Sequence, residues 1–247
     1  MFGGKLNPSL LDLKHLNYLD LSFNNFSASP IPSFLGSMKS LTSLNLSNAR
    51  FMGLIPHQFG NLSNLLYLNL ECYRTNDLYV NNLQWPLGIP LLQHLDMSYV
   101  NLSKAFNWLQ VTDTLPSLFE LRLSYSQLPF IPPTPTVNFS SLVVDLHNMT
   151  SLRHLDLFGN NFNSSIPNWL YSFSCLEFLN LGSNNLQGTI SSAIGNLTSA
   201  ISIDLSGNEL GGTLPRSLGN LCNLREIRLS SNKWSQEIFE ILESLSV

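Results

Sequence analysis

The sequence has little charge, and this absence limits what the protein can do. Only 11% of its 247 residues are Asp, Glu, Lys or Arg, and the formal net charge is −4 at pH 7. A chain without a basic excess does not bind nucleic acid electrostatically, and one without charged runs is not a disordered acidic tail. Long apolar runs are also missing, so no segment of this chain is predicted to span a membrane.

Catalytic and metal-binding parts are missing as well. The five histidines are dispersed, and none lies beside a nucleophile in a recognised arrangement. The glycine-rich stretch Ser206–Gly212 lacks the Lys-Ser/Thr pair of a phosphate-binding loop. Cys72, Cys175 and Cys222 are far apart and form no CxxC or Cys/His ligand pair. We predict a protein that is not an enzyme, binds no metal or cofactor, and carries three structural thiols.

The sequence does contain a repeat of the form L-x-L. Its first residue recurs every 24 to 27 positions, with one longer interval of 34. These first residues are Leu19, Leu44, Leu68, Leu95, Leu121, Leu155, Leu179, Ile203 and Ile227. Self-similarity at this period, with the pattern L-x-x-L-x-L-x-x-N, is the signature of a leucine-rich-repeat solenoid.

The alternation within each repeat predicts which side chains are buried. In the stretch LRHLDLFGN, Leu155 points inward, while His154 and Asp156 point out of a short strand. By the same phase Leu205 is buried, and the recurring outward carboxylates, such as Asp204, are merely solvated. One coil cannot bury its own leucines, so the coils stack and their strands form a parallel sheet.

Asparagine recurs at one phase of the repeat, five residues after the first leucine or isoleucine. The residues are Asn24, Asn160, Asn184, Asn208 and Asn232. An amide at this position can pair with backbone groups that the bend leaves without partners, and each buried unpaired group costs about 1–3 kcal/mol. We predict that these side chains form a ladder along the stacked coils.

The repeat predicts an α/β solenoid: a right-handed superhelix with a parallel concave sheet and mostly loops and short 3₁₀ or helical turns on its convex side. We expect one domain over residues 1–247 with about nine to ten coils. The coils over 70–150 are irregular, and the long interval indicates a truncated coil near 138–150, so Pro129–Thr150 should be the least ordered interior segment. Ala105–Val111 should form a short helix, with Phe106, Trp108 and Leu109 as its anchors.

Two kinds of motif resemble one group of proteins. FMGLIPHQFGNLSNL (Phe51–Leu65) and LGGTLPRSLGNLCNL (Leu210–Leu224) are similar to the G-x-I-P…L-G-N-L pattern of plant extracellular leucine-rich repeats. The irregular segment Leu78–Leu128 resembles the third to fifth repeats of plant receptor-like proteins of the apple scab-resistance and fungal xylanase-receptor type. The resemblance implies an extracellular module that recognises a protein or peptide elicitor in defence or development. It also implies signalling through a partner receptor kinase at the outer side of the plasma membrane.

The chain departs from that family at both ends. Family members have a signal peptide, cysteine-paired caps and a membrane helix, and this chain is expected to be a fragment without them. Two alternatives stay open. One is a soluble secreted inhibitor of pathogen cell-wall-degrading enzymes, similar to the polygalacturonase inhibitors, and the other is a degenerate fragment without function.

The outward positions of the strands provide the candidate ligand-binding residues. They are polar with a few aromatic rings spaced along them, which is typical of protein or peptide recognition. The candidates are Tyr67, His94, Asp96, Glu120, Arg122, His154, Asp156, Phe158, Phe178 and Asn180. We expect Phe158 and Phe178, outward on adjacent coils, to form the apolar anchor.

Glycosylation sequons fit an extracellular location. The candidate sites are Asn25, Asn45, Asn61, Asn101, Asn138, Asn148, Asn163 and Asn196. Asn45 lies between Leu44 and Leu46 on the predicted binding face, where a glycan would block part of that face.

Overall fold

The computed structural model of the protein describes residues 3–73, 77–131 and 151–235. The chain divides into two compact units, an N-terminal unit, Met1–Pro129, and a C-terminal unit, Phe130–Val247. One domain over the whole chain stays a prediction. The predicted truncated coil lies outside the described residues.

The N-terminal unit is built on a sheet of five parallel strands. Its strands are β1 Tyr18–Asp20, β2 Ser43–Asn45, β3 Gly53–Leu54, β4 Tyr67–Asn69, β5 Leu78–Tyr79, β6 His94–Asp96 and β7 Glu120–Arg122. The sheet has the order β1-β2-β4-β6-β7, and each strand pairs in register with the equivalent strand of the next coil. The short strands β3 and β5 pair separately, also in parallel.

The C-terminal unit repeats this arrangement. Its strands are β8 His154–Asp156, β9 Phe178–Asn180, β10 Gln187–Gly188, β11 Ser202–Asp204, β12 Glu209–Gly212, β13 Glu226–Arg228 and β14 Lys233–Trp234. Strands β8, β9, β11 and β13 form the parallel sheet. Strands β10, β12 and β14 form a second parallel sheet later in the same coils.

The predicted strand phase is confirmed. Every first residue of an L-x-L unit is the central residue of a strand, and all but one are buried. Ile227, in the last described strand of the sheet, is half-buried. The strands are short because only three residues of each coil run straight before the chain bends toward the next coil.

Short 3₁₀ turns lie before β1 and in most of the described connections between the later strands. They span Pro8–Asp12, Ser33–Ser37, His57–Asn61, Trp85–Gly88, Asn168–Ser172, Ser192–Asn196 and Arg216–Asn220. Proline precedes four of them with φ between −65 and −74°, because its ring already holds that angle. The turns stack closely: a Cβ on Gly36 would lie 2.3 Å from the Gln58 carbonyl oxygen of the next coil. Glycine in this position therefore permits the coil spacing.

The described part of the chain contains one α-helix, α1, which spans Trp108–Asp113. Trp108 and Leu109 are buried at 0% and 4% exposure, which confirms two of the three predicted anchors. The prediction for Phe106 is wrong, since its side chain is 60% exposed. Phe106 lies in the turn before the helix begins, and Ala105, which is 0% exposed, takes the buried position there. Among the described residues no helix is long and apolar enough to cross a membrane.

The asparagine ladder is confirmed in the C-terminal unit. Asn184 Oδ1 accepts hydrogen bonds from the backbone N–H groups of Asn160 and Phe162, at 2.9 and 3.2 Å. Its Nδ2 donates to the carbonyls of Leu157 and Leu181 at 3.1 and 3.0 Å. Asn208 and Asn232 make equivalent bonds one and two coils further on. Each amide thus joins its own coil to the preceding one.

The N-terminal unit uses other residues at the ladder position. After Asn24, which donates to the carbonyls of Leu21 and Ser22, the position holds Ala49, Val100 and Ser126 in three later coils. Ser126 Oγ donates to the Met97 carbonyl at 2.9 Å, which replaces one of the amide bonds. The three cysteines are free thiols, with Cys72 buried, Cys175 half-buried and Cys222 exposed. That all three are structural stays a prediction.

Candidate functional site

The last outward residue of most strands has a structural role. In seven strands of the two main sheets it is Asp or Asn, and its Oδ1 accepts a hydrogen bond from the backbone N–H two residues later. The residues are Asp20, Asn45, Asn69, Asp96, Asp156, Asn180 and Asp204. This is an Asx turn, in which a short polar side chain caps the bend at the strand end. The interpretation of the recurring carboxylates as merely solvated is therefore wrong.

This role concerns three of the candidate binding residues. Asp96, Asp156 and Asn180 hold the N–H groups of Ser98, Phe158 and Gly182 at 2.9–3.0 Å. Their recurrence is explained by the turn alone. A ligand could still use the second oxygen or the amide nitrogen of each side chain, but the repeat pattern is no argument for that contact.

A cluster of rings and charges lies on the sheet of the N-terminal unit. The His94 ring centroid is 5.9 Å from that of Tyr67 and 5.6 Å from that of Phe119. His94 Nδ1 is 2.8 Å from Glu120 Oε2 on the adjacent strand. Glu120 also forms an ion pair with Arg122 at 2.6 Å. We call these five residues the histidine cluster.

Four residues of the histidine cluster, all but Phe119, line a shallow depression of about 130 Å³. The Arg122 side chain is 44% exposed, and that of His94 is 34% exposed, whereas that of Glu120 is only 20% exposed. The two basic groups therefore face solvent, while the carboxylate that pairs with both lies deeper. Such a surface offers hydrogen-bond donors beside exposed aromatic rings.

Asp96 forms part of the wall of this depression. Burial raises the pKa of its carboxyl above the ordinary value of 3.8, and the negative charge of Glu71 adds to that effect. Hydrogen bonds from Ser98 and the charge of Arg122 oppose the shift without cancelling it. The folded protein thus holds a proton on Asp96 at pH values where the unfolded chain has lost it.

We expect Asp96→Asn to stabilise the protein increasingly as pH rises from about 3.8 through the raised pKa of Asp96. Above that window the wild type bears the cost of a buried carboxylate, which the amide does not, while the amide oxygen still accepts from Ser98 N–H. Urea unfolding of both proteins between about pH 3.5 and about pH 7 measures this. A stability difference that stays constant over this range would contradict the expectation.

The C-terminal unit carries its own aromatic patch. The rings of His154 and Phe178, which are paired in register on β8 and β9, stack with centroids 5.5 Å apart and an interplanar angle of 27°. Phe178 remains 39% exposed. Phe158 lies past the strand end, where its ring would meet a Cβ placed on Gly182 at 3.0 Å. Phe178 thus lies at the start of its strand, whereas Phe158 lies two residues after the end of the neighbouring strand. We call His154, Phe178 and Phe158 the aromatic patch.

An ion pair accompanies the aromatic patch. Arg153 Nη1 donates to Glu177 Oε1 on the next coil, and their side chains are 46% and 24% exposed. A solvent-exposed pair of this kind contributes little to stability. Its effect is to place charges of both signs beside the stacked rings.

The structure also reveals aromatic residues that the sequence reasoning missed. Tyr99 and Tyr125 stack with ring centroids 4.9 Å apart, just past the ends of β6 and β7. Both have positive φ, 66 and 53°, which bulky residues adopt only at a cost. Positive φ recurs at this phase in other coils, at Phe23, Asn48, Gly159, Ser183, Gly207 and Ser231. Two tyrosines in successive coils, at a phase where most other coils hold glycine, serine or asparagine, were the signal that could have identified them.

The sequons differ in accessibility. Asn61, Asn163 and Asn196 are exposed, whereas Asn25, Asn45 and Asn101 are half-buried. Asn45 also donates to Asp20 Oδ2 at 3.3 Å and accepts from Ser47 N–H, so its amide is already engaged. Asn138 and Asn148 lie outside the described residues. Within the described segments no three His, Cys, Asp or Glu side chains are grouped so that they could hold a metal ion.

These features define a protein of stacked leucine-rich coils whose sheet faces carry aromatic and charged residues. A model of the Leucine Rich Repeat family matches residues 15–38, 40–62, 151–173, 175–197 and 199–221. The chain belongs to the leucine-rich-repeat family, and its relatives include plant receptor-like proteins. Receptor-like protein EIX1 of Solanum lycopersicum is 43% identical over 171 residues, which is 68% of this chain and 16% of that protein.

Further comparisons agree with this assignment. Receptor-like protein EIX2 of Solanum lycopersicum is 39% identical over 172 residues, 69% of this chain and 16% of that protein. The chain therefore spans about one sixth of the length of these relatives. The ectodomain of the Arabidopsis thaliana membrane receptor kinase GASSHO1/SCHENGEN3, solved in complex with CASPARIAN STRIP INTEGRITY FACTOR 2, matches with a TM-score of 0.74 and 25% identity. That match covers 94% of this chain and 26% of the ectodomain.

Proposed function

We propose that this chain is an extracellular recognition segment of a plant receptor-like protein and binds a protein or peptide ligand through its sheet faces. The observation that carries the proposal is the presence of exposed aromatic rings among adaptable polar groups on those faces. In the N-terminal unit this is the histidine cluster, and in the C-terminal unit it is the aromatic patch. Rigid rings surrounded by hydrogen-bonding groups are typical of interface hot spots.

The relatives support this proposal. Receptor-like proteins share the sequence, and a similar ectodomain has been solved in complex with a ligand. The receptor to which the segment belongs lies at the outer side of the plasma membrane and signals through a partner receptor kinase. The segment contributes recognition and no catalysis.

The two surfaces have different parts in this proposal. In the histidine cluster, Arg122 offers donors to carboxylates or carbonyl oxygens of a ligand, and Tyr67 provides an aromatic wall. The Nδ1–H group of His94 is committed to Glu120, so Nε2 of the neutral ring offers an acceptor. In the aromatic patch, Phe178 offers an apolar anchor of which 39% is still open to solvent. Tyr99 and Tyr125 extend the first surface toward the strand ends.

We expect Phe178→Ala to weaken ligand binding at least thirtyfold, or about 2 kcal/mol, because a hot-spot ring loses its contact area on truncation. The segment would be placed in a full-length receptor-like protein. Binding of a fungal xylanase, the ligand class that the resemblance implies, would then be measured by surface plasmon resonance.

The matched control is Phe106→Ala. Phe106 is a phenylalanine with 60% exposure that lies before α1 and off the sheet, so its truncation should leave binding unchanged. Circular dichroism of both variants tests whether the fold is retained. Equal loss of binding in the two variants, or loss in Phe106→Ala alone, would show that the sheet face is not the recognition surface.

A further inference from the structure

A pocket of about 570 Å³ lies in the N-terminal unit, away from the histidine cluster. It is bordered by the segments that follow β1, β2 and β4, where the chain has already left the sheet. Asn48, Arg50, Tyr73 and Asp77 are among the residues that line it. The volume is in the range of small-ligand sites.

Asn48 gives this pocket an unusual polar group. The residue is only 8% exposed, and its Nδ2 donates to Glu71 Oε2 at 3.3 Å. A carboxylate only accepts hydrogen bonds, so this contact fixes which way the amide points. Asn48 Oδ1 is buried and has no hydrogen-bond partner among the described residues. This oxygen is also closed to solvent, so a ligand supplies the missing bond with an O–H or N–H group only when the Asn48 side chain rotates to present the oxygen to the pocket.

The backbone around the pocket is already paired. Phe26 N–H donates to the Ala49 carbonyl at 3.1 Å, Ala28 N–H to Arg50 at 2.9 Å, and Gly53 N–H to Asp77 at 2.7 Å. An extended peptide that binds by adding a strand needs a row of unpaired backbone groups. These bonds occupy the groups that such a peptide would use, so side chains must provide most of the recognition.

The charges and the aromatic surface of the pocket lining further limit the class of ligand that the pocket can bind. Arg50 and Asp77 both line the pocket, and their opposite charges favour a neutral ligand over an anion or a cation. Tyr73 is 70% exposed, and its ring lies 6.1 Å from that of Phe23, which is 58% exposed. Phe23 does not line the pocket, so Tyr73 provides its aromatic face. An open aromatic face beside planar polar groups matches the two kinds of surface of a pyranose ring, its C–H face and its hydroxyl edge.

We propose that this pocket binds pyranose rings of a neutral glycan. A sugar hydroxyl donates to Asn48 Oδ1, the C–H face of the ring packs on Tyr73, and Arg50 and Asp77 exchange hydrogen bonds with the remaining hydroxyls. The glycan has two possible sources. Asn25 lines the same pocket and lies in the sequon Asn25-Phe26-Ser27, so its own N-glycan could occupy the site, and a free neutral oligosaccharide could do so as well.

The first experiment uses the full chain produced in bacteria, which leaves Asn25 unmodified. Neutral xylo-, chito- and manno-oligosaccharides are titrated by isothermal calorimetry and by ligand-observed NMR, next to an oligogalacturonide and a mixed peptide library. We expect saturable binding of at least one neutral oligosaccharide. Tyr73→Ala and Asn48→Ala should each weaken it at least tenfold. Tyr79→Ala, another exposed tyrosine of the unit that lies outside the pocket lining, should leave it unchanged.

Tyr73 is mostly exposed, so its variant should fold even if Asn48→Ala does not. The proposal is overturned if no neutral oligosaccharide binds, if Tyr73→Ala binds as the wild type does, or if the oligogalacturonide or peptides bind in preference. A second arm compares the chain from insect cells with its Ser27→Ala variant, which lacks the Asn25 sequon. Tenfold weaker binding of added oligosaccharide to the glycosylated wild type supports the attached glycan as occupant. Equal binding supports a free one.

Discussion

Asn184→Ala is expected to lower the free energy of unfolding of this protein by about 2–6 kcal/mol, the largest effect of a single substitution that we predict. The side chain is 4% exposed and joins two coils of the C-terminal unit. Truncation to alanine removes the acceptor of two backbone N–H groups, those of Asn160 and Phe162. Each buried donor left unpaired costs about 1–3 kcal/mol.

The carbonyl partners of Asn184 account for little of this cost. Leu157 O also accepts from Asn160 Nδ2, and Leu181 O also accepts from Asn208 Nδ2. These carbonyls keep a partner after the substitution, so the two N–H groups carry the effect. The ladder is therefore asymmetric: its amide oxygens are harder to replace than its amide nitrogens.

Asn185→Ala provides the matched control. Asn185 is the next residue and has an exposed side chain, and its backbone bond to the Phe162 carbonyl is unaffected by the change. Its truncation should alter stability by less than about 0.5 kcal/mol. Urea unfolding followed by far-UV circular dichroism compares the two variants. Similar losses of stability in both variants would mean that the ladder side chain of Asn184 does not stabilise the stacking of adjacent coils.

Much of the fold follows from the sequence because its cause is periodic. A leucine repeated every coil has one physical explanation, burial between stacked coils, and every predicted strand centre is a strand centre in the structure. The ladder asparagine is periodic in the C-terminal unit, and Asn184 makes the bonds expected of it. Phe106, by contrast, lies in a part of the chain that no other coil repeats. Only the position where α1 begins decides that its ring is exposed.

The candidate surfaces follow from the sequence only in part. Outward residues could be identified coil by coil, but the sequence does not show that His94 would pair with Glu120 across strands. The sequence also misleads where a recurring residue can be explained in two ways. Asp156 was predicted to bind a ligand, but aspartate recurs at this position because its side chain caps a turn. Contacts between coils depend on side-chain rotamers and on turns such as that of Tyr99, whose positive φ is not encoded by the leucine pattern.

The pocket of the N-terminal unit lies where the asparagine ladder is interrupted. In the C-terminal unit, asparagine at the ladder position fills the space beside each bend and pairs its backbone groups. Where Ala49 takes that position, the preceding Asn48 is buried instead and keeps an unpaired oxygen. An interruption of the structural repeat thus leaves room and a polar group for a ligand.

Leu205→Ala and Asp204→Ala test the inside and outside of one regular coil. Leu205 is 1% exposed, and its truncation should cost about 2–5 kcal/mol through lost burial and a residual cavity. Asp204 points outward but is only 7% exposed, because Ser206 and Arg228 cover its carboxylate. The sequence alone predicted a solvated side chain there, and the structure contradicts this.

For Asp204→Ala we therefore expect a loss of about 1.5–3 kcal/mol, the contribution of hydrogen bonds to a charged group. The bonds are those from Ser206 N–H and Oγ, at 2.9 and 2.6 Å, whereas the Arg228 contact involves a side chain that is 59% exposed and adds little. Asp204→Asn should recover most of the loss, because an amide oxygen caps the same turn at Asn180. Urea unfolding of the three variants measures these differences. If Asp204→Ala costs less than about 0.5 kcal/mol, the covering residues do not stabilise the turn. If Leu205→Ala costs as little, the leucine does not face the core.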